Sequence, residues 1–306
     1  MRSYLPTPQR KSTSRSLVAH MAPLASAPRS VHRRAPVRKV RSIWISDLHL
    51  GTKGAKTEQL LEFLEAHECE RLYLVGDIID GWVLRKGWYW NESHNQVVSE
   101  ILRKDQAGTE VVYVCGNHDE FLRSYLGLTL GGIRVVAEAV HTMLDGRKLL
   151  VLHGDRFDTV IRNAKWLALL GDQAYRVALW INDGLAFVRR RLGLPYWSLS
   201  AWLKGKVKEA VKYVDHFGSA VLDHAERHGM HGVVCGHIHK AELREERGRI
   251  YANDGDWVES CTALVETRMG ELEIVDWPRK KQDPGYFRTD SNSRPARSQR
   301  ASEVAV

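Results

Sequence analysis

The sequence predicts an α/β fold with two sheets, because strand-like apolar runs alternate with helical patterns and end in polar turns. The chain has 306 residues, of which 43% are hydrophobic, so it can bury a sizeable core. A strand-like run, an amphipathic stretch and a second strand-like run predict a right-handed βαβ unit. Later apolar runs, separated by Gly and polar residues, predict antiparallel strands of a second sheet packed on the first.

Five of the predicted strands end in polar residues, and a predicted helix follows the first of them. These strands are predicted at 41–46, 71–76, 110–116, 148–152 and 231–236. The helix is predicted over 57–67, where side chains recur at the spacing of one helical face. That face comprises Leu60, Leu61, Phe63, Leu64 and His67. The antiparallel strands are predicted near 250–253, 262–266 and 272–275.

The composition divides the chain into a folded body, an insertion and two tails. We predict a disordered basic tail at 1–40, a folded domain at 41–277 and a disordered tail at 278–306. Within the folded domain, residues 158–227 show helical stretches rich in Trp, Leu, Ala and Arg. Because this insertion leaves the sheet after the LHGD motif and returns before the GHIH motif, we predict that it forms a helical cap over the side chains of these motifs.

The net charge of +8 is concentrated near the N-terminus, since no Asp or Glu occurs before Asp47. We interpret this leader as a solvated tail; anionic lipid or nucleic-acid binding, a weak secretory signal and an organellar transit peptide are the alternatives. The four cysteines show no CxxC spacing, and a reducing cytoplasm is the default for such a chain. No stretch approaches the ~20 uninterrupted apolar residues of a membrane span.

The segments DLH, GDIID, GNHD, LHGD and GHIH place acid, amide or imidazole groups at the ends of the five strands. Functional groups in α/β sheets lie beyond the carboxyl ends of the strands, so we expect these side chains to meet at one rim. The candidate metal ligands are Asp47, His49, Asp77, Asn117, His153, His237 and His239. Oxygen and nitrogen ligands of this mixture suit Mn, Fe or Zn rather than Ca. They exceed the about four ligands of one tetrahedral ion. Their number suits two ions that share a carboxylate and assist hydrolysis of a phosphate ester or anhydride.

The order and spelling of these motifs resemble the calcineurin-like metallophosphoesterases. DLHLG, GDIID, GNHDE, LHGD and GHIH match that family's D-x-H, GD, GNH[DE], H and GH-x-H motifs, over roughly residues 41–277. The resemblance implies a four-layer αββα sandwich with a helical cap insertion. It also implies two divalent metal ions, with Mn expected and Fe or Zn as alternatives.

The resemblance implies a role for each motif residue. One ion would be bound by Asp47, His49, Asp77 and His239. The other would be bound by Asp77, Asn117, His153 and His237, so that Asp77 bridges the pair. His118 would act on the phosphoryl group as a catalytic residue, with Asp119 orienting its ring. Asp80 and Asp155 are weaker candidates for supporting hydrogen bonds.

Within this superfamily the chain most resembles the UDP-2,3-diacylglucosamine pyrophosphohydrolases and their relatives. The similarity is carried by DLHLG, GDIIDGW, the helical insertion between HGD and GHIH, and NDGDWVES at 253–260. It implies cleavage of a nucleotide-linked diacyl sugar at its pyrophosphate to UMP and a lipid monophosphate during lipid A synthesis. Two features depart from the pattern. The best-known members carry Arg where this chain has His118, and the insertion differs after HGD.

The expected partner is a phosphorylated small molecule or a lipid nucleotide. Between Asp183 and Glu209 the insertion is basic and aromatic, which predicts either contact with an anionic membrane or packing onto the sheet. Trp82, Trp88 and Trp90 follow GDIID and either border the substrate or pack against the cap. We expect a cytoplasmic protein that is peripheral on the inner membrane.

Other functions stay open at this point. One alternative is a general phosphodiesterase or phosphomonoesterase; another, suggested by the pI of about 9.3, is a nucleic-acid-directed phosphoesterase. Nucleic acid is not favoured as a partner, because the basic excess lies in the leader and in an insertion interleaved with apolar residues. A non-catalytic scaffold is expected to lack metal ligands, and here every motif position carries one.

Overall fold

The computed structural model describes residues 37–160, 216–283 and 285–287, which contain two sheets. The strands of the larger sheet are β1 (Arg38–Ile45), β2 (His67–Val75), β3 (Glu110–Val114), β4 (Thr129–Leu130), β5 (Ile133–Val136), β11 (Thr262–Glu266) and β12 (Leu272–Asp276). The smaller sheet contains β6 (Ala139–Thr142), β7 (Lys148–Val151), β8 (Gly232–Cys235), β9 (Glu242–Glu246) and β10 (Arg249–Asn253). The strand orders are β12-β11-β1-β2-β3-β5-β4 and β6-β7-β8-β10-β9.

Polar side chains cap the starts of two of the helices between the strands. The helices are α1 (Thr57–Ala66), α2 (Gly81–Lys86), α3 (Glu92–Gln106), α4 (216–227) and α5 (Trp277–Lys280), with 3-10 helices at Glu120–Tyr125 and Asp155–Val160. Asp80 accepts a hydrogen bond from the Val83 amide at the start of α2, and Asn91 accepts one from the His94 amide at the start of α3. Each bond satisfies an amide that has no partner within its own helix.

Side-chain alternation along the strands of the larger sheet builds two separate cores. In β1, Ile43 and Ile45 pack in the cluster formed with α1 and α3, whereas Trp44 packs in the cluster between the sheets. The Trp44 and Tyr73 rings stack with centroids 5.3 Å apart, and the His141 ring meets Trp44 edge-on at 4.8 Å. Successive side chains of a strand point to opposite faces, so each strand contributes to both cores.

Helix α4 covers the outer face of the smaller sheet. Phe217, Val221, Leu222 and Ala225 are buried and pack with strand residues such as Leu150 and Val233. The layers therefore follow the order helix, sheet, sheet, helix, which confirms the predicted four-layer αββα sandwich. Residues 216–227 were predicted as part of the cap and instead form this outer layer, because their apolar stripe is buried on the sheet.

The structure corrects the predicted assignment of strands to sheets. The last two strands were predicted to build the second sheet, but β11 pairs antiparallel with β1 in the first, with Ile43 opposite Val265. Conversely, β7 and β8 were placed in the central sheet and lie in the smaller one. Strand pairing is decided by partners distant in sequence, and strand-like periodicity carries no information about them.

The described residues extend beyond the predicted limits of the folded domain. β1 begins at Arg38, within the predicted tail, and Tyr286 is buried against His67 rather than lying in a disordered tail. The remainder of the two tail predictions, and the cap prediction for 161–215, fall outside the described residues. Among the described residues, no helix is long and apolar enough to cross a membrane.

His67 joins the C-terminal segment to the larger sheet as a neutral imidazole. Its Nδ1 donates to the Phe63 carbonyl at 2.7 Å, and its Nε2 lies 2.8 Å from the Tyr286 hydroxyl. Burial is the main cause that lowers the pKa of His67, to about 3, and the cations of Arg38 and Lys104 act in the same direction.

This environment predicts a loss of stability in mild acid. The unfolded chain binds a proton at His67 below about pH 6.5 and the folded chain does not, so the free energy of unfolding decreases as the pH falls. The expected contribution is about 1.4 kcal/mol per pH unit below about pH 6. Urea unfolding of wild type and His67→Gln between about pH 7 and 5 should show a shallower slope in the variant. An unchanged slope would contradict the prediction; His231→Gln, at an exposed histidine, is the control.

Candidate metal centre

Five candidate ligands have left-handed backbone conformations at the ends of strands. The φ angle is 52° at Asp47, 47° at His49, 54° at Asp77, 72° at His237 and 53° at His239. For residues with a β-carbon such conformations cost roughly 1–3 kcal/mol each and persist where the surroundings hold them. Here the turns are held by backbone hydrogen bonds, including Asp47 to Gly76 at 3.1 Å and His49 to Asp77 at 3.0 Å.

Glycines in two of the motifs make room for the ligands. Gly76 has a φ of 80°, and a β-carbon there would collide with the His153 ring. At Gly116 a β-carbon would collide with the Asp77 carboxylate. The glycines that precede Asp77 and Asn117 therefore let the ends of β2, β3 and β7 approach closely.

The rim where both sheets end brings the predicted ligands together. Three groups of side chains have ligand atoms within 4.8 Å of one another. They are Asp47, His49 and His239; His49, Asp77 and His118; and Asp77, His153 and His237. The first and third groups match the two ion sites that the motif resemblance implies, and the second joins them through Asp77. Loops of both sheets thus contribute to one centre.

At the buried end of the centre, two hydrogen-bond acceptors face each other. His153 Nδ1 donates to the Val75 carbonyl at 2.8 Å, which leaves the lone pair on Nε2. That Nε2 lies 3.3 Å from Asp77 Oδ2. Two facing lone pairs repel each other unless a proton or a cation lies between them. The tautomer of His153 is therefore set for binding a cation, as second-sphere hydrogen bonds set it in known metal sites.

The other end of the centre is built around Asp47. His49 Nδ1 donates to Asp80 at 3.1 Å, so its Nε2 lone pair is free to bind on the side of Asp47 Oδ1, 3.8 Å away. His239 Nε2 lies 3.1 Å from the same oxygen. Asn117 adds a buried amide oxygen that has no hydrogen-bond partner among the described residues. A buried orphan oxygen is expected where a cation binds.

Electrostatics in the centre favours cations strongly. Burial raises the pKa of Asp77, but the imidazole of His153 outweighs it and lowers the pKa to about 2. Burial likewise raises the pKa of Asp47, yet His239 and His49 bring it well below its usual value. Burial lowers the pKa of His49, whereas Asp47 and Asp80 raise it to about 10. The carboxylates therefore stay ionised, and their charge is balanced by protons on imidazoles that a divalent ion would replace.

The donor set fits the two divalent ions that the motifs imply. The residues that would hold one ion are Asp47, His49, Asp77 and His239, and for the other Asp77, Asn117, His153 and His237. Hard oxygens and neutral imidazoles in this proportion suit first-row divalent metals.

His118 stands beside the centre, and Asp80 holds its ring. His118 Nδ1 lies 2.9 Å from Asp80 Oδ2, and its Nε2 is 3.9 Å from Asp77 Oδ2. The Trp82 ring lies against the His118 ring with centroids 4.2 Å apart. Burial raises the pKa of Asp80, but hydrogen bonds from His118 and His49 bring it below its usual value. Asp80 is thus an ionised acceptor that fixes both imidazoles.

The Asp119 carboxylate bonds to two backbone amides and to a tyrosine hydroxyl. It accepts hydrogen bonds from the Ile78 amide at 2.9 Å, the Gly116 amide at 2.5 Å and the Tyr113 hydroxyl at 2.7 Å. These bonds tie the loop after β2 to the loop after β3. The second weaker candidate, Asp155, forms an ion pair with Arg123 at 2.5 Å.

Residues 40–241 match the calcineurin-like phosphoesterase family, which covers the motifs and the centre just described. The chain belongs to this family. It is therefore a metal-dependent hydrolase of phosphoester-type bonds, as the motifs predicted. Its curated relatives include proteins named UDP-2,3-diacylglucosamine hydrolase. That of Klebsiella pneumoniae is 28% identical over 257 residues, covering 78% of this chain and 99% of the relative. That of Escherichia coli O7:K1 is 27% identical over 260 residues, with the same coverage.

Solved structures with similarity to this phosphoesterase are more distant in sequence. Yfce, a phosphoesterase from E. coli, has a TM-score of 0.38 at 14% identity, covering 77% of this chain and 98% of Yfce. An archaeal phosphodiesterase has a TM-score of 0.37 at 12% identity, covering 76% of this chain and 98% of the other. Neither match bears on the substrate.

Sequence reasoning gave too little weight to the residues that orient the ligands of this phosphoesterase. Asp80 was a weak candidate, and nothing in GDIID shows that its second acid reaches two imidazoles. Trp82, predicted to border the substrate or pack against the cap, contacts the His118 ring. By contrast, Trp88 is 77% exposed, and Trp90 packs against His94 with ring centroids 5.1 Å apart.

The ligand geometry predicts that metal stabilises the fold. With Mn²⁺ at about 100 times its dissociation constant, metal-free protein should gain about 2.7 kcal/mol. Asp77→Asn keeps the side-chain shape and removes the charge shared by both sites, so most of this gain should disappear. Thermal unfolding with and without Mn²⁺ measures the effect, with Asp223→Asn as a control at an exposed carboxylate. Equal stabilisation of Asp77→Asn and wild type would refute the bridging position.

The contacts of Asp80 and Asp119 predict separable effects. Asp80→Asn should lower kcat for bis-p-nitrophenyl phosphate by roughly 10- to 100-fold, because His118 and His49 lose their ionised acceptor. Asp119→Asn places an amide hydrogen against backbone donors and should chiefly destabilise the fold, by about 1–3 kcal/mol. Steady-state kinetics and thermal unfolding of both variants distinguish the roles. A larger loss of kcat in Asp119→Asn than in Asp80→Asn would restore the original assignment.

Proposed function

We propose that this phosphoesterase cleaves the pyrophosphate of UDP-2,3-diacylglucosamine, or of a similar nucleotide-linked lipid, to UMP and a lipid phosphate. The observation that carries the proposal is an exposed apolar surface next to His118. Trp82 is 40% exposed while lying on the His118 ring, and Phe121, against Gly81, is 36% exposed. Tyr125, Leu126, Leu128 and Leu130 continue this apolar character along the chain and are also exposed.

This surface bears on the substrate, because a small hydrophilic phosphate ester has no apolar part that could bind to it. Clustered exposed apolar side chains mark ligand, protein or membrane contacts. A substrate with acyl chains could place its phosphorus at the centre and its apolar part on this side. The names of the relatives, at 27–28% identity over nearly their whole length, support the same substrate class.

The roles of the residues in this reaction follow from the geometry. Two divalent ions, which we propose to be Mn²⁺ with Fe or Zn as alternatives, would polarise the phosphoryl group and bring the pKa of water toward neutrality. His118 Nε2 lies on the open side of Asp77, where it can donate a proton to the leaving oxygen or stabilise its charge. Asp80, whose Oδ2 lies 2.9 Å from His118 Nδ1, would hold the ring in place. Trp82 shields one face of that ring from water.

The proposed substrate also determines the proposed location. A diacylated nucleotide sugar resides in a lipid leaflet, so we propose that the enzyme is cytoplasmic and peripheral on the inner membrane. The basic and aromatic composition between Asp183 and Glu209, which lies outside the described residues, supports this location, because such composition favours binding to anionic headgroups. Nucleic acid has no part in this proposal.

Metal-dependent turnover tests the function directly. Purified full-length protein with Mn²⁺ is assayed on UDP-2,3-diacylglucosamine in mixed micelles and, separately, on bis-p-nitrophenyl phosphate. We expect release of UMP with kcat/KM at least ~100-fold above the diester, since binding of the remote acyl and nucleotide parts lowers the barrier. Asp77→Asn is the inactive control.

Other outcomes would test the substrate and the role of the apolar surface separately. Cleavage of the diester with no turnover of the lipid nucleotide would refute the substrate and leave a general phosphodiesterase. Equal turnover when Trp82 and Phe121 are replaced by Ser would refute the role of the apolar surface. Val140→Ser, at an apolar residue 50% exposed on β6, is the matched control for these changes.

A further inference from the structure

A buried polar chain lies behind Asp47 and belongs to no role assigned so far. It consists of Ser46, which is 1% exposed, and Asp254, which is 0% exposed and follows β10 in the NDGDWVES segment. The Ser46 hydroxyl lies 2.7 Å from Asp47 Oδ2 and 2.7 Å from Asp254 Oδ1. Two carboxyl groups are therefore connected through one hydroxyl, in a place closed to water.

If Asp47 and Asp254 are both ionised, too few hydrogens are present for the contacts around Ser46. A serine hydroxyl donates one hydrogen and accepts others. Around Ser46 stand three acceptors: the two carboxyl oxygens and the Gly255 carbonyl at 3.1 Å. A single hydrogen cannot serve both carboxyl oxygens at 2.7 Å, so one of these contacts requires a second hydrogen, carried by a carboxyl group.

The surroundings indicate which carboxyl group carries it. Asp47 Oδ2 accepts the His237 amide at 2.8 Å. Asp47 Oδ1 lacks a hydrogen-bond partner among the described residues, but it faces His49 and His239 at the metal centre, where, against burial, positive charge favours an ionised carboxylate and lowers the pKa of Asp47. Asp254 Oδ2 is buried and has no hydrogen-bond partner among the described residues. An ionised carboxylate with one bare oxygen is costly in such a place, and a neutral acid much less so. In agreement, burial is the main cause that places the pKa of Asp254 well above its usual value.

We propose that Asp254 is a neutral acid that donates to Ser46, which in turn donates to Asp47 and fixes this ligand with Oδ1 toward the metal centre. Asp254 is thus a positioning residue for metal binding. The inference rests on the proposed metal role of Asp47. In this arrangement Asp254 does not bind metal itself and acts only in its uncharged form.

The backbone around Asp254 fits this role because it is held on every side. The Asp254 amide donates to the Cys235 carbonyl at 3.1 Å, and its carbonyl accepts the Thr262 hydroxyl at 2.9 Å. The neighbouring Asn253 donates to the Gly236 carbonyl at 2.7 Å. The chain after β10 is therefore tied to the loop that carries His237, and Asp254 cannot move away from Ser46 without breaking these bonds.

Three substitutions separate a neutral donor from a charged group. Asp254→Asn supplies an amide hydrogen to Ser46 without charge, Asp254→Leu keeps the volume without any donor, and Ser46→Ala removes the link. Chelator-treated full-length protein is titrated with Mn²⁺ by calorimetry, and thermal unfolding of the metal-free forms is recorded in parallel. Asp223→Asn is the matched control for an acid-to-amide change at the surface.

We expect Asp254→Asn to bind Mn²⁺ within about threefold of wild type, and Asp254→Leu and Ser46→Ala to bind roughly 10- to 100-fold more weakly at one site. Equal losses in Asp254→Asn and Asp254→Leu would overturn the proposal, because a charge would then be needed. Wild-type affinity in Ser46→Ala would overturn it as well. If Asp254→Leu does not fold, the test compares the Mn²⁺ affinity of Ser46→Ala, which lacks a single oxygen atom, with that of Asp254→Asn. Absence of Mn²⁺ binding by wild type would instead refute the proposed metal role of Asp47.

Discussion

Buried carboxylate oxygens and imidazole nitrogens lie close together at the common rim of the two sheets, and the surrounding structure depends on keeping them there. Asp47 and Asp77 are almost fully buried, and imidazole nitrogens face both of them. Burying ionised carboxylates is unfavourable unless cations lie close to them. The left-handed turns and the glycine before Asp77 are consequences, since they bring the ligand groups within reach of one another. The same constraint couples metal binding to the stability of the fold.

The centre depends on the two sheets being held in a fixed relation. Trp44, Tyr73 and His141 pack between the sheets, and His141 also contacts the buried carboxylate of Glu266 at 3.0 Å. Each sheet supplies part of the ligand set, so a shift of one against the other would separate Asp77 from His153. A packed core of aromatic and branched side chains resists such shifts because it has few voids to relax into. The rigid packing between the sheets therefore keeps the candidate ligands at fixed positions at the rim.

Around the centre, acids of identical chemistry have different roles because their neighbours differ. Asp77 faces imidazoles and is suited to bind metal; Asp80 accepts from His49 Nδ1 and lies 2.9 Å from His118 Nδ1. Asp119 accepts from backbone amides and joins two loops. The Asp254 carboxyl group bonds to a single hydroxyl among the described residues and is suited to remain neutral. On one side of this polar centre, Trp82 and its neighbours present apolar surface. The combination of a highly charged centre and an apolar border is what a phosphorylated lipid would require.

The sequence by itself determined the alternation of strands and helices and the motifs with their candidate ligands, because periodicity and short motifs are local properties of the chain. The four layers were implied by the resemblance that the motifs carry. The motifs alone identify Asp77 and His153 as candidate ligands. Only the tertiary structure decided that β11 joins β1 and that the ligands come from both sheets, since strand pairing is a contest between distant segments. It also decided that Asp80 lies 2.9 Å from His118 Nδ1, while Asp119 bonds to backbone amides. Both acids lie near His118, and which one reaches the ring depends on hydrogen-bond directions that exist only after the loops have packed.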